Sequence, residues 1–556
     1  MFILRPSVLF AQSWEWAMQG TYNVTGSCVN YETVTDSMGN IYVTGRFSGS
    51  VIFGKDTLVN TNPWSSVYIV KYDRNRNEKW ARQSSVGSQI YLAWGTSVAA
   101  DGAGNVYLAG TFGDTITFGP YMLLSATRYN VFLVKYDSSG NVIHAVSGTV
   151  KYYLDEGYAY SITTDKKGFV YMTGELYDTL RFDTNVLTAY SSSIYLVKFD
   201  SSENVVWAKC AKTPHMFTVD NGSAVGIDKA GNVYVTGNYS DTIIFDSDTL
   251  ASKAAYNVFL VKFDSSGKVI WAKTDEAPSQ FCQAHCYSEA IDNAGNVYTT
   301  GYFHDTVNFG THKLISTLGS LGDIYLIKYD SAGNIIWVKQ SSCTKTSLYQ
   351  EAYSVAIDKY NDVFVTGGFY DTIQFGGIRL VSDSSYPAFL FQLDTYGNAL
   401  CAKVINCAYI GRSWVTQSWV DSGVIFGSNL VKYQYLVFGP DTVAQSQGGG
   451  VPFFAEWKPC GNSIINSSES LPEKNSISVF PNPNNGEFII QSSVASKQSL
   501  VEVYDVMGQL VYKDILRSAQ DDNLIELTNQ PNGVYFYWIL DNKQQLIGEG
   551  KIVIEK

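Results

Sequence analysis

Positive charge is scarce and scattered in this chain. Its 556 residues carry 39 Lys and Arg against 51 Asp and Glu, a formal net charge of −12, and no basic run occurs anywhere. A phosphate-binding surface needs clustered cations to displace counterions, so a nucleic-acid partner is excluded. No stretch approaches the ~18 to 20 consecutive apolar residues of a membrane-spanning helix. Five histidines leave little acid–base machinery. Eight cysteines, at 28, 210, 282, 286, 343, 401, 407 and 460, are too sparse for a disulfide scaffold but suit an oxidising compartment. What is abundant is aromatic: 39 Tyr, 29 Phe and 12 Trp within a 45% hydrophobic composition. That material excludes intrinsic disorder and, rich as it is in Tyr, Val and Thr, leans to an all-β fold.

A repeat fills most of the chain. The pattern Asp-x-x-Gly-Asn-Val-Tyr-x-Thr-Gly recurs with variations from Asp36, Asp101, Asp165, Asp228, Asp292 and Asp358, at spacings of 65, 64, 63, 64 and 66 residues. Each period continues with an aromatic marker (Phe53, Phe118, Phe182, Phe245, Phe309, Phe375) and a strand of the type VFLVKYD. Seven residues beyond that strand's final aspartate stand Trp80, His144, Trp207, Trp271, Trp337 and Cys401. One period is one supersecondary unit of four strands with Gly-Asn turns between the first pair and the last pair. The strands are nearly continuous apolar runs, as expected when neighbouring sheets cover both faces.

Six full periods are followed by a degenerate unit at residues 414–457 that lacks a fourth strand. Trp14-Glu15-Trp16-Ala17 matches the Trp-Ala of the fourth strands and precedes the first unit, so it is expected to close a ring of seven. The repeat, seen in VFLVKYDSSGNVIHAV (131–146) and VFLVKFDSSGKVIWAK (258–273), resembles the SBBP-type seven-bladed β-propeller repeats of exported bacterial proteins. The resemblance implies a propeller over residues 13–461 and specifies little about function. Residues 1–12 resemble the tail of a signal peptide.

Residues 462–474 are polar, Ser-rich and aperiodic, which reads as a linker. Residues 475–556 carry ordered motifs: Val479-Phe480-Pro481-Asn482-Pro483, Gly486-Glu487-Phe488, Val503 to Gly508 (VYDVMG), Asn532-Gly533-Val534-Tyr535-Phe536, and a closing Gly550-Lys551-Ile552-Val553-Ile554. Their pattern predicts a small immunoglobulin-like β-sandwich, with Gly486, Gly508 and Gly533 at turns that need permissive backbone. The series resembles the type IX (Por) secretion C-terminal sorting domain, type A. The resemblance implies handling by the type IX machinery through Pro481, Asn482, Pro483, Gly486, Gly508, Gly533, Tyr535 and Lys551, and a secreted or outer-surface location.

No motif marks a catalytic centre, and no cofactor or metal is expected. The turn aspartates lack the alternating oxygen ligands of a calcium loop and read as turn formers; the repeated Trp reads as packing. Cys282-Gln-Ala-His285-Cys286 lacks a partner pair for zinc, and disulfides among Cys282, Cys286, Cys343 and Cys407 are expected instead. Glu289 stands where other units have Val98, Ile162, Val225 or Val355, through either a channel role or a register shift. In antiparallel units the non-repeated loops share one face, and they are aromatic. Trp94, Tyr152, Tyr153, Phe217, Tyr287, Tyr349 and Tyr409 are the candidate contacts for an unknown protein or glycan ligand. A non-catalytic, adhesin-like binder is the expectation. The alternatives are a polysaccharide hydrolase or lyase using Glu156, Glu289 and Glu351, or a structural surface component.

Overall fold

Each period of the repeat becomes an antiparallel four-stranded meander, and the reasons are local. The computed structural model describes residues 14–19, 21–22, 27–87, 92–125, 128–150, 156–214, 220–317, 322–343, 349–382, 386–405, 414–417, 424–430, 435–438, 441–444, 451–457, 477–480, 485–492, 500–505, 509–515, 523–540 and 546–556. Among these residues every regular element is a strand, and the fold is all-β. The chain divides into two compact units, Met1–Gly461 and Asn462–Lys556.

In the first unit, Ser27–Thr35, Ile41–Phe53, Ser66–Tyr72 and Glu78–Gln83 pair in sequence order. The pattern's aspartate makes the first turn. Asp36 Oδ1 accepts the amides of Met38 and Asn40 at 2.9 Å, while Oδ2 accepts Asn40 Nδ2 at 2.7 Å and the Tyr42 hydroxyl at 3.0 Å. The same bonds recur at Asp101, Asp228 and Asp292. These carboxylates are thus occupied by their own turns. In the Thr-Gly pair, the threonine hydroxyl donates to a third-strand carbonyl at 2.7 Å in five units, from Thr44, Thr173, Thr236, Thr300 and Thr366.

Among the described residues seven such meanders succeed one another. The seventh is made by Trp414–Gln417, Val424–Leu430 and Val451–Trp457, with Trp14–Gln19 as its fourth strand. The core lies between sheets rather than within them: Tyr107, Ala109 and Leu133 of the second unit cluster with Ile162, Met172 and Val197 of the third. First strands pack on first strands in cyclic order, Trp414–Gln417 returning to Ser27–Thr35, and Phe454 and Ile425 share a core with Ile41 and Tyr72. Side chains also tie the inner strands together. Glu32, Ser97, Ser161 and Ser288 accept the amides of Val98, Ile162, Val225 and Val355 in the next unit at 2.5 to 3.2 Å.

The second compact unit holds two antiparallel sheets. One is formed by Ile477–Phe480, Glu487–Ser492 and Asn523–Glu526, the other by Leu510–Ile515, Leu500–Tyr504, Gly533–Leu540 and Leu546–Ile554. Phe488 and Ile525 of the first share a core with Val503, Tyr537 and Ile552 of the second.

Candidate functional site

A β-bulge at the same place in six inner strands builds the candidate site. Opposite the glycine of each Thr-Gly pair the inner strand carries one extra residue: Tyr31, Thr96, Tyr160, Ser223, Tyr287 and Tyr353. A Cβ on the facing Gly45, Gly110, Gly174, Gly237, Gly301 or Gly367 would stand 1.8 to 1.9 Å from an inner-strand carbonyl oxygen. The repeat therefore keeps glycine there for steric reasons, and the bulge re-aims the extra side chain. Four of the six are tyrosines.

These tyrosines sit in two aromatic and acidic arcs, each spanning three units at the entry end of the inner strands. In the first arc Arg46 lies 5.9 Å from both the Tyr31 and Trp94 rings. Trp94, Tyr129, Tyr158 and Tyr160 follow at centroid separations of 5.2, 5.6 and 6.0 Å. Glu156 accepts the Tyr158 hydroxyl at 2.6 Å and pairs with Arg128 at 3.3 Å. Glu175 accepts Tyr160 at 2.9 Å and Ser192 at 2.6 Å; its burial raises its pKa. In the second arc His285 lies 4.7 Å from both Tyr256 and Tyr302, and Tyr287 bridges Tyr302 at 5.9 Å to Tyr353 of the next unit at 5.8 Å. Glu351 accepts the hydroxyls of Tyr353 and, at 3.0 Å, Tyr386. Burial pushes the His285 imidazole down to about 4, so it is neutral across the physiological range.

The structure places Trp94 and Tyr287 in these arcs, and Tyr349, exposed, at the edge of the second. Tyr152, Tyr153, Phe217 and Tyr409 lie outside the described residues. The three carboxylates considered for catalysis have separate neighbours, and no contact among the described residues joins one to another. Glu156 belongs to the first arc and Glu351 to the second. Glu289 is sunk between the fourth and fifth units, both oxygens without solvent contact, against Gly226. Burial pushes its pKa up to about 8. Its pairing with Thr299 is in phase with Val98 opposite Leu108 and Val225 opposite Val235, so the register-shift reading of Glu289 is corrected. Tyr31 and Tyr160 were missed by the sequence reading. The signal was available: the bulged residue precedes the repeat's glycine by 14 positions in all six units, as Tyr31 does Gly45 and Tyr160 does Gly174.

The expected disulfides among Cys282, Cys286 and Cys343 are also corrected, since none of the three is held in a disulfide; Cys407 is outside the described residues. Cys282 and Cys286 are separated by about 13 Å of extended chain, beyond disulfide reach, and the Cys286 sulfur lies 3.1 Å from the Thr236 hydroxyl oxygen. Of the sorting-motif residues, Pro481, Asn482, Pro483 and Gly508 lie outside the described residues. Gly486 has φ 103°, and a Cβ there would meet Thr528 Cα at 2.9 Å. Gly533 opens its strand with ordinary backbone and open space around it, so the turn requirement expected of it is corrected. The Tyr535 hydroxyl donates to the Pro531 carbonyl at 2.8 Å, and Lys551 is exposed opposite Phe536.

Residues 478–555 match the family model of the secretion system C-terminal sorting domain. This points to export by the type IX route and to a place outside the cell or on its outer surface. A curated relative, the uncharacterized WD repeat-containing protein L264 of Acanthamoeba polyphaga mimivirus, is 25% identical over 450 residues, covering 64% of this chain and 31% of that protein. The chain thus spans less than a third of that relative. Among solved structures, the full extracellular region of plexin A4 is similar at 8% identity and a TM-score of 0.40, covering 96% of this chain and 62% of that one. A protein of unknown function from Dyadobacter fermentans is similar at 10% identity and a TM-score of 0.37, covering 80% and 98%.

Proposed function

We propose that the protein is an exported, non-catalytic binding module that captures a protein or glycan on the bulge face of its repeat unit. In this reading the repeat unit is a seven-bladed β-propeller of the SBBP type, closed by its N-terminal strand and spanning residues 13–461. An immunoglobulin-like sandwich at 475–556 delivers it through type IX secretion. The observation that carries the reading is the pair of arcs: half-buried Trp and Tyr rings, four of the tyrosines placed by bulges in the inner strands, interleaved with carboxylates that already accept tyrosine hydroxyls. Rigid amphipathic rings give contact area at low entropic cost, and carboxylates can accept sugar hydroxyls or peptide donors. The dispersal of Glu156, Glu289 and Glu351 supports binding over hydrolysis.

The test is binding of the full chain to glycan and protein arrays, with released products scored in parallel. Saturable binding without product is expected. Trp94→Ala and Tyr287→Ala should each weaken it by about tenfold or more while the unfolding midpoint stays within a few degrees. Product release abolished by Glu156→Gln or Glu351→Gln would replace this reading with the hydrolase or lyase. Array silence with self-association in solution would favour a structural surface component.

A further inference from the structure

The residue that follows the glycine facing each bulge varies from unit to unit while its neighbours repeat: Arg46, Thr111, Glu175, Asn238, Tyr302 and Gly368. Five of the six are satisfied within the protein. Thr111 accepts the amide of Ala159 in the next unit at 3.3 Å. Asn238 accepts the Cys286 amide of the next unit at 2.7 Å and donates to the Cys286 carbonyl at 3.2 Å. Glu175 accepts the hydroxyls of Tyr160 and Ser192, and Tyr302 stacks on His285. Gly368 leaves room for Tyr386, whose ring a Cβ would meet at 2.5 Å.

Arg46 departs from this set. A guanidinium has N–H donors and no acceptor, so it cannot take the amide that Thr111 and Asn238 take. Among the described residues no hydrogen bond or ion pair reaches it. Its contacts are two ring faces, Tyr31 of its own unit and Trp94 of the next, each 5.9 Å away. The other arginine of the first arc, Arg128, lies 5.5 Å over Tyr129 but is answered by Glu156 at 3.3 Å. Arg82, half-buried like Arg46, donates to the carbonyls of Ala81, Ser139 and Gly140. Arg46 thus holds an unneutralised charge between aromatic walls, at one end of the row Trp94, Tyr129, Tyr158 and Tyr160. A guanidinium meets a carboxylate as a two-bond fork, and rings that exclude water from it strengthen that pairing. One cation fits one carboxylate, since Glu156 and Glu175 further along the row repel a second. A sugar ring brings a C–H face and a hydroxyl edge together, the combination that rings alternating with Glu156 and Glu175 match; a peptide side chain brings one or the other.

We propose that the first arc binds a saccharide carrying a single acidic sugar: Arg46 forks the carboxylate, Trp94 stacks against a sugar ring, and Glu156 accepts a hydroxyl. The proposal rests on the reading of the arcs as a binding face and names the ligand class of one of them.

The probes are oligosaccharides ending in one glucuronate, galacturonate or sialate, each with its carboxyl-reduced counterpart, titrated calorimetrically into the full chain. At least one acidic probe should bind saturably, and reducing its carboxyl should weaken binding about tenfold or more, as expected for a lost charge-assisted pair. Arg46→Gln should weaken the acidic probe by the same factor and leave the reduced one unchanged, and Arg46→Lys should recover part of the loss. Trp94→Ala should weaken both probes. The unfolding midpoint of Arg46→Gln should stay within a few degrees of the parent, since no protein acceptor is lost. Equal affinity for the two members of a pair, an Arg46→Gln variant that binds as the parent does, or capture of acidic peptides in place of saccharides would overturn the proposal. A neutral glycan or a protein bound on arrays, with no response to the acidic probes, would overturn it and keep the binding reading; silence on both would overturn the two together.

Discussion

At the scale of single residues, the departures from the repeat are coupled. His144, in place of tryptophan, departs with Glu203, in place of a turn glycine, and the two meet at 2.6 Å. Glu289 departs where its neighbour does: Ala224 is the inner-strand residue that lacks the oxygen supplied elsewhere by Ser97, Ser161 or Ser288, and Glu289 is the residue whose amide that oxygen would have received. Its carboxyl turns back to Gly226 of the same strand as Ala224. Glu289 ordinarily ionises at 4.5 and is pushed up to about 8 in the fold. Between those values the folded state holds a proton that the unfolded chain has lost, so stability falls as pH rises through that window. Glu289→Val, which restores the side chain of Val225 and Val355, should stabilise the protein more at pH 9 than at pH 5, the two gains differing on the order of 3 kcal/mol. Denaturant unfolding at both values checks this, and equal gains would reject it.

At the scale of elements, the repeat motif is a set of contacts written in sequence order. Aspartate builds the turn, tyrosine returns to it, threonine ties the second strand to the third, and glycine admits the bulge. Lysine and tryptophan reach the next unit, where Lys71 and Trp80 both donate to the Ser138 carbonyl. Trp80, 3% exposed, is buried more deeply than its counterparts Trp207, Trp271 and Trp337 and stacks 6.0 Å from Tyr136. Trp80→Ala should cost about 3 to 5 kcal/mol, the range for losing a large buried ring. Trp271, less deeply buried, should cost less. Chemical denaturation of the two variants measures the difference, and equal losses would show that the contact to the next unit does not depend on burial. Much of this scale was legible in sequence, because turn chemistry and strand periodicity act over a few residues. The bulges were not read, although their 14-residue offset from glycine is constant, since a glycine facing a strand looks like any strand-end glycine until the partner carbonyl is placed against it.

At the scale of the molecule, buried acids set the pH response. Burial pushes Glu32 and Asp275 up to about 7, and Glu289 higher. All three cost stability as pH rises from about 5 to 8. His285, pushed down to about 4, acts in the other direction, adding stability as pH rises from 4 to its ordinary 6.5. Above pH 6.5 nothing in this set opposes the carboxyls. The thermal midpoint should therefore fall between pH 6.5 and 9 at fixed ionic strength, as calorimetry would show; a flat or rising midpoint would contradict the burial of these groups.

The sequence by itself determined the all-β class, the repeat with its turns, and the sorting domain at the carboxyl end. Each rests on contacts between residues close in the chain or on motifs in fixed order. Only the tertiary structure decided which side chains meet across units. Tyr287 reaches Tyr353, Arg46 lies between Tyr31 and Trp94, and Glu156, Glu289 and Glu351 go separate ways. Those meetings depend on how one sheet packs against the next, a relation between residues some 65 positions apart that no local propensity encodes.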